Sequence, residues 1–429
     1  MKKSYYNFLF QPKDGKNIVY NSRTGAMAEL DEAHMEQLRD WTEQEIAEKN
    51  PAFAEALLQN GFAVVDGVSE QDMIQYDSFH ARFGSRSLGL TITPTQDCNF
   101  RCQYCYEKDV IKPAYMNEET QEALIAYVKG NLVPEGIMTV CWYGGEPLMA
   151  LPVISSLTQK MLAVCEEKHV EYKADIVTNG YLLTQETVQE LVRCKIRQIQ
   201  VTLDGSRETH NQRRPLAGGH PTYDAIWNNL LALKAYEKEI LVDLRVNVDK
   251  SNYQALTDVS EEIRSNGMEH FVRVYPGKVV SDGGCYQQDV CFENREFALL
   301  EESFFKDNRK HLPSRYPKPR HNVCGADAAN AVVIDAEGFI YKCWMDIGNR
   351  TLSVGNIKSG TWGNEALLYQ YMLYEPVKDE ACSRCKYLPV CLGGCPRERL
   401  QGKRGCTTLK ETVQDYMEYL PEVMEQNRG

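Results

Sequence analysis

The sequence predicts an α/β protein: a partial (β/α)6 TIM barrel between a small N-terminal unit and a cysteine-rich C-terminal region. From about residue 88 to 276, short apolar runs alternate with amphipathic helical stretches, the pattern of a parallel sheet with right-handed crossovers. Six such repeats are too few for a closed eightfold barrel. Because the flanking regions lack this alternation, we divide the chain into residues 1–86, 87–310 and 311–429.

Composition narrows the functional classes. The 429 residues carry a net charge of -12, which argues against a general nucleic-acid surface. No apolar run suits a membrane span or a signal peptide, so we expect a cytoplasmic protein without nucleic-acid or membrane partners. The 15 cysteines therefore favour metal ligands or catalytic groups over disulfides.

The N-terminal unit reads as a small mixed fold. Two short strands are predicted at Tyr5–Phe10 and Asn17–Asn21, joined by a Lys-Asp-Gly-Lys turn. Asp31 is placed to cap one helix, and Pro51 opens another. A third strand follows at "FAVV", so the unit resembles a winged-helix module. Residues 68–87, "VSEQDMIQYDSFHARFGSRS", are polar and are expected to form a link.

Six barrel strands follow in order. They are "LGLTITP" (88–94), "IMTVCWY" (137–143), "ADIVT" (174–178), "IQVTL" (199–203), "LVDLRVNVD" (241–249) and "FVRVYP" (271–276). Helices are predicted between them, for example after the cap at Asn117 and over Tyr223–Lys238 and Tyr253–Asn266. Unusual residues stand just after the strands, at the carboxyl edge where barrel chemistry lies.

The first strand leads into three cysteines, Cys98, Cys102 and Cys105, with spacing C-x3-C-x2-C. A zinc ion prefers four ligands, and the nearest histidine, His80, lies before the strand. A 4Fe–4S cluster held by three thiolates leaves one iron open for a small molecule. Tyr104 then offers an aromatic edge beside that iron.

This arrangement resembles the radical S-adenosylmethionine (SAM) enzymes, in which the open iron binds the amino and carboxylate groups of SAM and SAM is cleaved to a 5′-deoxyadenosyl radical. The motifs "GGEP", "TNG", "LDG" and "HNQRRP" stand where that family contacts SAM. The resemblance implies SAM contacts by Tyr104, Gly144, Gly145, Glu146, Thr178, Asn179, Asp204, Arg214 and Asn247. Taken alone, Gly144–Glu146 is an ordinary turn, and Arg213 with Arg214 is a solvated surface pair.

The C-terminal cysteines resemble the SPASM extension of this family, which holds two auxiliary 4Fe–4S clusters. The resemblance assigns Cys324, Cys343 and Cys395 to the first auxiliary cluster. It assigns to the second Cys382, Cys385, Cys391 and Cys406. The rival interpretation is a zinc ribbon on the Cys382–Cys385 pair, but seven cysteines exceed what one zinc needs.

The first auxiliary cluster is one ligand short. Either Cys285 or Cys291 reaches back to it, or its iron is open and binds a substrate thiolate. The sequence leaves this choice open.

The resemblance implies a peptide maturase, an oxidoreductase acting on a peptide with SAM and three 4Fe–4S clusters. The N-terminal unit resembles elements that bind the leader of a precursor peptide by adding it as a strand. A hydrogen abstracted from the peptide would lead to a cross-link such as a Cys thioether. An external donor such as flavodoxin or ferredoxin would supply electrons, and no residue stands out as a general base.

Two alternatives remain. Anaerobic sulfatase maturases, which form formylglycine, share the barrel and C-terminal motifs. They usually begin close to the first cluster, however, and place an acidic base directly after the position of Cys343, where this chain has Trp344. Asp346 substitutes only if the loop is reshaped. The second alternative is a non-catalytic metal-binding scaffold, which the SAM motifs at four strand ends disfavour.

Overall fold

The computed structural model describes residues 1–11, 16–281, 286–308 and 316–426. The chain forms two compact units. The first contains Met1–Phe83, Asn294–Ala328 and the chain from Leu373 onward, and the second contains Gly84–Glu293 and Ala329–Met372. The N-terminal region and the last part of the chain thus belong to one unit, and Ala329–Met372, from the predicted C-terminal region, belongs with the barrel.

The first unit begins with two small antiparallel sheets. Its strands are β1 (Lys2–Lys3), β2 (Asn7–Phe10), β3 (Asn17–Asn21), β4 (Met27–Leu30) and β5 (Ala63–Val64). Strands β2, β3 and β4 form one sheet, and β1 pairs with β5. Strand β3 has the predicted bounds, whereas β4 was not predicted because it is short and half-buried. Most of the predicted turn between β2 and β3 lies outside the described residues.

Four helices complete this part of the first unit: α1 (Glu32–Asp40), α2 (Glu43–Lys49), α3 (Pro51–Gln59) and α4 (Glu70–Phe83). Asp31 caps α1 by accepting a hydrogen bond from the His34 amide, and Pro51 starts α3, both as predicted. Apolar side chains from β3 and the first three helices form one core, including Val19, Leu38, Ile46 and Leu57.

Helix α4 contradicts the prediction of a polar link over residues 68–87. Its buried residues recur every four positions, at Glu70, Ile74, Ser78 and Arg82, so they share one helix face. Three of the four are polar, and their partners are distant in sequence. Glu70 accepts hydrogen bonds from Ser4 and the Tyr5 amide, and hydrophobic periodicity does not reveal such a face.

The second unit contains the predicted parallel sheet. Its strands are β6 (Ser87–Ile92), β7 (Ile137–Trp142), β8 (Glu171–Thr178), β9 (Ile196–Thr202), β10 (Leu241–Val248) and β11 (Val272–Lys278). Each is parallel to the next along the chain. The intervening helices are α5 (Glu118–Asn131), α6 (Leu151–Lys168), α7 (Gln185–Arg193), α8 (Arg207–Arg213), α9 (Tyr223–Ala232) and α10 (Ala255–Ser265). The prediction of six β/α repeats is confirmed.

The two faces of this sheet differ in polarity. Alternate strand residues such as Val140, Trp142 and Leu244 are completely buried, as expected for a sheet face covered by helices. The residues between them are polar and only half-buried, for example Gln200 and Arg245. The barrel therefore has an apolar outer layer and a polar interior.

By length and composition, one helix of the described residues, Pro147–Lys168, is apolar enough to cross a membrane. This segment includes α6, whose Ile154, Leu157 and Met161 are fully buried. The helix packs against α5 and β8. Its apolar residues therefore form part of the core of the second unit.

The sheet continues past the point at which the β/α rhythm was expected to end. After α11 (Asn294–Asp307) come β12 (Ala331–Ile334), β13 (Phe339–Tyr341), β14 (Gly355–Asn356), β15 (Thr361–Trp362) and α12 (Glu365–Met372). Strand β12 lies parallel to β6, and β13 to β15 continue the sheet antiparallel. More than 50 residues separate β11 from β12, so no local pattern joins β12 to the barrel.

The C-terminal region of the first unit forms short helices α13 (Glu380–Ser383), α14 (Leu388–Cys391) and α15 (Pro396–Leu400), then α16 (Leu409–Gln426). It packs directly on the N-terminal region. Tyr5 donates to the Arg384 carbonyl at 2.7 Å, and the Lys386 ammonium donates to the Asn7 carbonyl at 2.8 Å. The two ends of the chain therefore share hydrogen bonds as well as a core.

We expect Glu70→Ala to destabilise the first unit. The Glu70 carboxylate accepts hydrogen bonds from Ser4, the Tyr5 amide and Arg23, and only 8% of the residue is exposed. Its removal leaves these donors unpaired, at a cost of about 3 kcal/mol. Hydrogen exchange of the β1 and β2 amides measures the loss. Asp77→Ala, at an exposed position of α4, is the control, and equal exchange in both variants would contradict the expectation.

Candidate active site

A cavity of about 410 Å³ lies at the carboxyl ends of the parallel strands in the second unit. Its walls come from the segments that follow β6 and β7, from the ends of β8 to β11, and from Trp344 and Met345. This is the edge of the sheet at which the sequence places its unusual residues. The cavity is therefore the candidate active site.

The loop after β6 brings Cys98, Cys102 and Cys105 to this cavity. Backbone hydrogen bonds hold the loop in place, because the Arg101 amide donates to the Pro215 carbonyl and the Gln103 amide to the Arg213 carbonyl. Burial raises the pKa of the Cys98 and Cys105 thiols to about 12. A compensating cation is needed to ionise such thiols at neutral pH.

The donor chemistry of these three thiols fits an iron–sulfur cluster. Within the described ranges, no three His, Cys, Asp or Glu side chains are gathered around a single ion position. A four-iron cluster takes its thiolates on separate irons and does not require that close grouping. Three thiols on one cavity wall therefore suit a cluster better than a single metal ion.

Gly144 and Gly145 form the wall beside the thiols. Their φ angles are +78° and +46°, a region that side chains disfavour. A Cβ atom on Gly145 would stand 2.2 Å from the Asp97 carbonyl oxygen. The two glycines therefore allow the turn after β7 to approach the cysteine loop and leave backbone atoms facing the cavity.

Glu146 is fully buried behind this wall. One carboxylate oxygen accepts from the Thr178 hydroxyl at 2.7 Å and the Leu148 amide at 3.0 Å, and the other accepts from the Asn179 amide at 2.8 Å. The resemblance implies a SAM contact for Glu146, and in the structure its carboxylate joins the ends of β7 and β8. The described cavity lining at this point is Gly144 and Gly145.

The Tyr104 hydroxyl joins four segments that the sequence motifs singled out separately. It donates to the Asp204 carboxylate at 2.5 Å and accepts from Arg214 Nη1 at 2.6 Å and Asn247 Nδ2 at 3.0 Å. Tyr104, Arg214 and Asn247 line the cavity, whereas Asp204 is fully buried beneath it. Four predicted site residues thus form one hydrogen-bond network.

Arg213 and Arg214 are not a solvated surface pair. Their exposed fractions are 5% and 7%. Arg213 Nη1 lies 2.6 Å from Asp249, and its Nε lies 3.3 Å from Asp204. Because two carboxylates hold Arg213, Arg214 is left to face the cavity.

Two buried polar atoms at the cavity have no hydrogen-bond partner among the described residues: Arg214 Nε and Glu107 Oε1. Buried polar groups are nearly always paired, so such atoms mark places for a ligand. An unpaired guanidinium N–H suits a carboxylate, and Gly144 and Gly145 line the same cavity as the thiols. The residues present therefore fit SAM and a cluster.

Several cavity residues were missed by the sequence analysis as site residues. Glu107 lines the cavity and accepts a hydrogen bond from the Gly145 amide. Tyr143 and Trp344 also line the cavity, and their rings stack with centroids 5.2 Å apart. Arg245 lines the cavity from β10. The only sequence signal for Arg245 as a site residue is its position, because it lies two residues before Asn247 and so shares the same face of the strand.

Asp346 does not face the cavity. It is 2% exposed and accepts a hydrogen bond from Tyr371 at 2.9 Å. Trp344, next to Cys343, takes the place at the cavity wall instead. The structure therefore offers Asp346 no opening to the site as a general base.

The predicted second auxiliary set lies within the first unit. Cys382 joins a cluster of apolar side chains that includes Tyr6, Ile74 and Leu388. A Cβ atom on Gly394 would stand 2.0 Å from the Gly405 carbonyl, so the turn after Cys391 runs directly beside the segment of Cys406. Cys324 and Cys395 belong to this unit as well, and Cys343 belongs to the second. Cys285 lies outside the described residues.

The fold and the cavity define a partial-barrel enzyme with a cysteine-lined site at the carboxyl edge of its sheet. The family model described as the radical SAM superfamily matches residues 92–263. The GTP 3′,8-cyclase of Microcystis aeruginosa is 30% identical over 276 residues, 60% of this chain and 81% of the cyclase. The chain belongs to the radical SAM superfamily, whose members use SAM and a 4Fe–4S cluster.

Other relatives extend over more of the chain. The cysteine-type anaerobic sulfatase-maturating enzyme of Clostridium perfringens is 22% identical over 77% of this chain and 95% of its own length. Solved structures of the same fold include native anSMEcpe with bound AdoMet and Cp18Cys peptide, with a TM-score of 0.58 over 79% of this chain and 98% of that one, at 17% identity. The crystal structure of Streptococcus suis SuiB has a TM-score of 0.54 over 94% of this chain and 97% of SuiB, also at 17% identity.

We expect Tyr104→Phe to destabilise the second unit. The change leaves the buried Asp204, Arg214 and Asn247 groups without their common partner. The cost is about 2 kcal/mol, which lowers Tm by roughly 4–8 °C, measurable by calorimetry. Tyr115→Phe is the matched control, because the hydroxyl of Tyr115 makes a 3.2 Å hydrogen bond at an exposed position. Equal Tm values for the two variants would show that the network adds no stability.

Proposed function

We propose that this chain is a radical SAM peptide maturase that installs a cross-link in a precursor peptide, with a Cys thioether as the product. The observation that carries this proposal is the cavity itself. It combines three thiols, a glycine wall and the unpaired Arg214 Nε at the carboxyl edge of the barrel. The breadth of the SuiB match, 94% of the chain, supports a maturase with regions beyond the barrel.

The first proposed role belongs to the cysteine loop. Cys98, Cys102 and Cys105 would hold a 4Fe–4S cluster that leaves one iron open for SAM. When bound, this cluster supplies the electron that cleaves SAM to a 5′-deoxyadenosyl radical. Backbone hydrogen bonds of the loop keep the thiols at the cavity.

The strand ends would bind SAM. The Gly144 and Gly145 backbone is suited to its ammonium group, and Arg214 Nε is suited to its carboxylate. Tyr104, Asp204 and Asn247 fix the Arg214 guanidinium in place. The buried Glu146 carboxylate would position Thr178 and Asn179 by accepting hydrogen bonds from the Thr178 hydroxyl and the Asn179 amide.

The remaining cysteines would hold two auxiliary 4Fe–4S clusters. Cys324, Cys343 and Cys395 form the first proposed set, with Cys285, Cys291 or a substrate thiolate as a further ligand. The second proposed set is Cys382, Cys385, Cys391 and Cys406. These clusters would accept the electron left after bond formation.

The peptide would be held by the first unit. The sheet of β2, β3 and β4 has two edges, and an added strand from a leader peptide is the usual way to use such an edge. SuiB has been solved bound to the precursor peptide SuiA. Flavodoxin or ferredoxin remains the proposed electron donor, and neither nucleic acid nor membrane is a proposed partner.

Formylglycine formation is the second candidate, favoured by the match to 95% of the Clostridium perfringens enzyme. The cavity offers no aspartate next to Cys343, since Trp344 stands there and Asp346 is bonded to Tyr371. A cross-linking reaction is therefore our first choice. The two products differ in their chemistry, which permits a direct test.

Replacing Cys98, Cys102 or Cys105 by Ala should abolish SAM cleavage and remove about four of the twelve irons expected for three clusters. Replacing Cys382 together with Cys385 should remove about four irons but spare some SAM cleavage without peptide. Iron and sulfide analysis and 5′-deoxyadenosine release measure both effects. Cys165→Ala, in α6, is the control, and an unreactive reconstituted wild type would disprove the catalytic proposal. Zinc in place of iron would indicate a scaffold.

Co-expression with a short cysteine-containing reading frame beside the gene tests the product. A thioether removes two hydrogens from the peptide and blocks alkylation of its cysteine thiol. Formylglycine formation instead creates an aldehyde that reacts with hydrazides. Mass spectrometry after each reagent separates the two, and an aldehyde product would replace the thioether proposal.

A further inference from the structure

One cationic side chain of the active-site cavity has no partner of opposite charge. Arg245 lies on β10 and lines the cavity. Its Nε donates to Asn247 Oδ1 at 2.7 Å. Among the residues that the structure describes, no carboxylate forms an ion pair with it. The Tyr275 hydroxyl is a polar neighbour of this guanidinium, but its positive charge has no anionic partner inside the site.

Three nearby acidic groups are paired with other cations. Asp243, also on β10, lies 2.6 Å from Arg273, and Asp204 and Asp249 hold Arg213. Glu107 lines the same cavity, but it forms no ion pair with Arg245, and its Oε2 accepts from the Gly145 amide. An uncompensated charge in a half-buried site is costly, so the position of Arg245 requires an explanation.

The neighbouring strand is adapted to the Arg245 side chain. Gly277 on β11 pairs with Asn247 in the sheet register. A Cβ atom at Gly277 would stand 2.2 Å from Arg245 Nε and 2.6 Å from Asn247 Oδ1. Any other residue at this position would displace the hydrogen-bonded side chains of Arg245 and Asn247. Glycine at position 277 therefore allows the Arg245 guanidinium its observed position.

A second donor faces the same cavity. Gln200 on β9 lines it, and the Tyr275 hydroxyl donates to Gln200 Oε1 at 2.7 Å. This bond orients the amide and leaves Nε2 as a donor. Within the described part of the chain, Gln200 Nε2 has no acceptor. The polar interior thus presents N–H donors from two strands that are not paired with any described carboxylate.

We propose that Arg245, assisted by Gln200, binds a carboxylate of the peptide substrate, from an Asp or Glu side chain or from the C-terminus. This inference rests on the proposed function and adds that the peptide segment entering the cavity carries an acidic group. A guanidinium binds a carboxylate through two parallel hydrogen bonds. The low dielectric of a cavity strengthens that pairing.

Binding of defined peptides to the cluster-loaded protein with SAM tests the inference. The probes are the capped peptide Ac-Gly-Ala-Cys-Ala-X-Ala-Gly-NH2 with Asp, Glu, Asn or Gln at X, and the Asn peptide with a free C-terminal acid. Calorimetry measures each Kd. At least one acidic probe should bind the wild type at least tenfold more tightly than its amide counterpart, as expected for one charge-assisted contact. The probe that gains affinity identifies the source of the carboxylate.

Three variants locate the effect. Arg245→Met should reduce the ratio of acid to amide affinity to about one, since it keeps much of the side-chain volume without the charge. Gly277→Ala should lower the ratio by displacing the Arg245 side chain. Arg197→Met, at an exposed position of β9, is the matched control and should keep the wild-type ratio.

Equal affinity of the wild type for acidic and amide probes, including no binding of either, would overturn the inference. The inference would also be overturned if Arg245→Met kept the wild-type ratio of acid to amide affinity. The same holds if Arg245→Met lowered the affinity for SAM as strongly as the affinity for peptide. Failure of the proposed function looks different. In that case the wild type would prefer the acidic probes but release no 5′-deoxyadenosine on reduction.

Discussion

The candidate site depends on one buried hydroxyl. Tyr104 comes from the cysteine loop, and its hydrogen bonds reach Asp204, Arg214 and Asn247. Asp204 follows β9, Arg214 follows α8, and Asn247 lies on β10. The loop that carries the thiols is therefore bonded to three other parts of the barrel. Backbone hydrogen bonds from the Arg101 and Gln103 amides to the Pro215 and Arg213 carbonyls hold the same loop beside Arg214, and the Tyr104 hydroxyl extends this attachment to the ends of β9 and β10.

Charge pairing beneath the cavity decides which groups are left for ligands. Asp204 and Asp249 are both fully buried, and together they hold Arg213. Arg214 therefore keeps an unpaired Nε at the cavity, and no described carboxylate pairs with Arg245. A buried donor without a partner is costly. Under the proposed function, the carboxylates of SAM and of the peptide would offset that cost.

Sequence reasoning predicted the parts of the fold that have a local signal. The six parallel strands and the caps at Asp31 and Asn117 are set by alternation and by short-range hydrogen bonds. The face of α4 and the pairing of β12 with β6 depend on partners far along the chain. The same limit applies to the site. Motifs marked Tyr104, Arg214 and Asn247 as site residues but gave no sign that they share a single hydroxyl.

The first unit joins the N-terminal sheet to the cysteine-rich C-terminal region. Tyr6 and Ile74, from the N-terminal region, pack in one core with Leu388 and Leu392 of the cysteine-rich region. The Lys386 ammonium, next to Cys385, donates to the Asn7 carbonyl of β2. A peptide strand added to the sheet of β2, β3 and β4 would stiffen the sheet to which Lys386 is anchored. Under the proposed function, leader binding and the order of the cysteine-rich segment would therefore be coupled, and linkage would make each strengthen the other to the same extent.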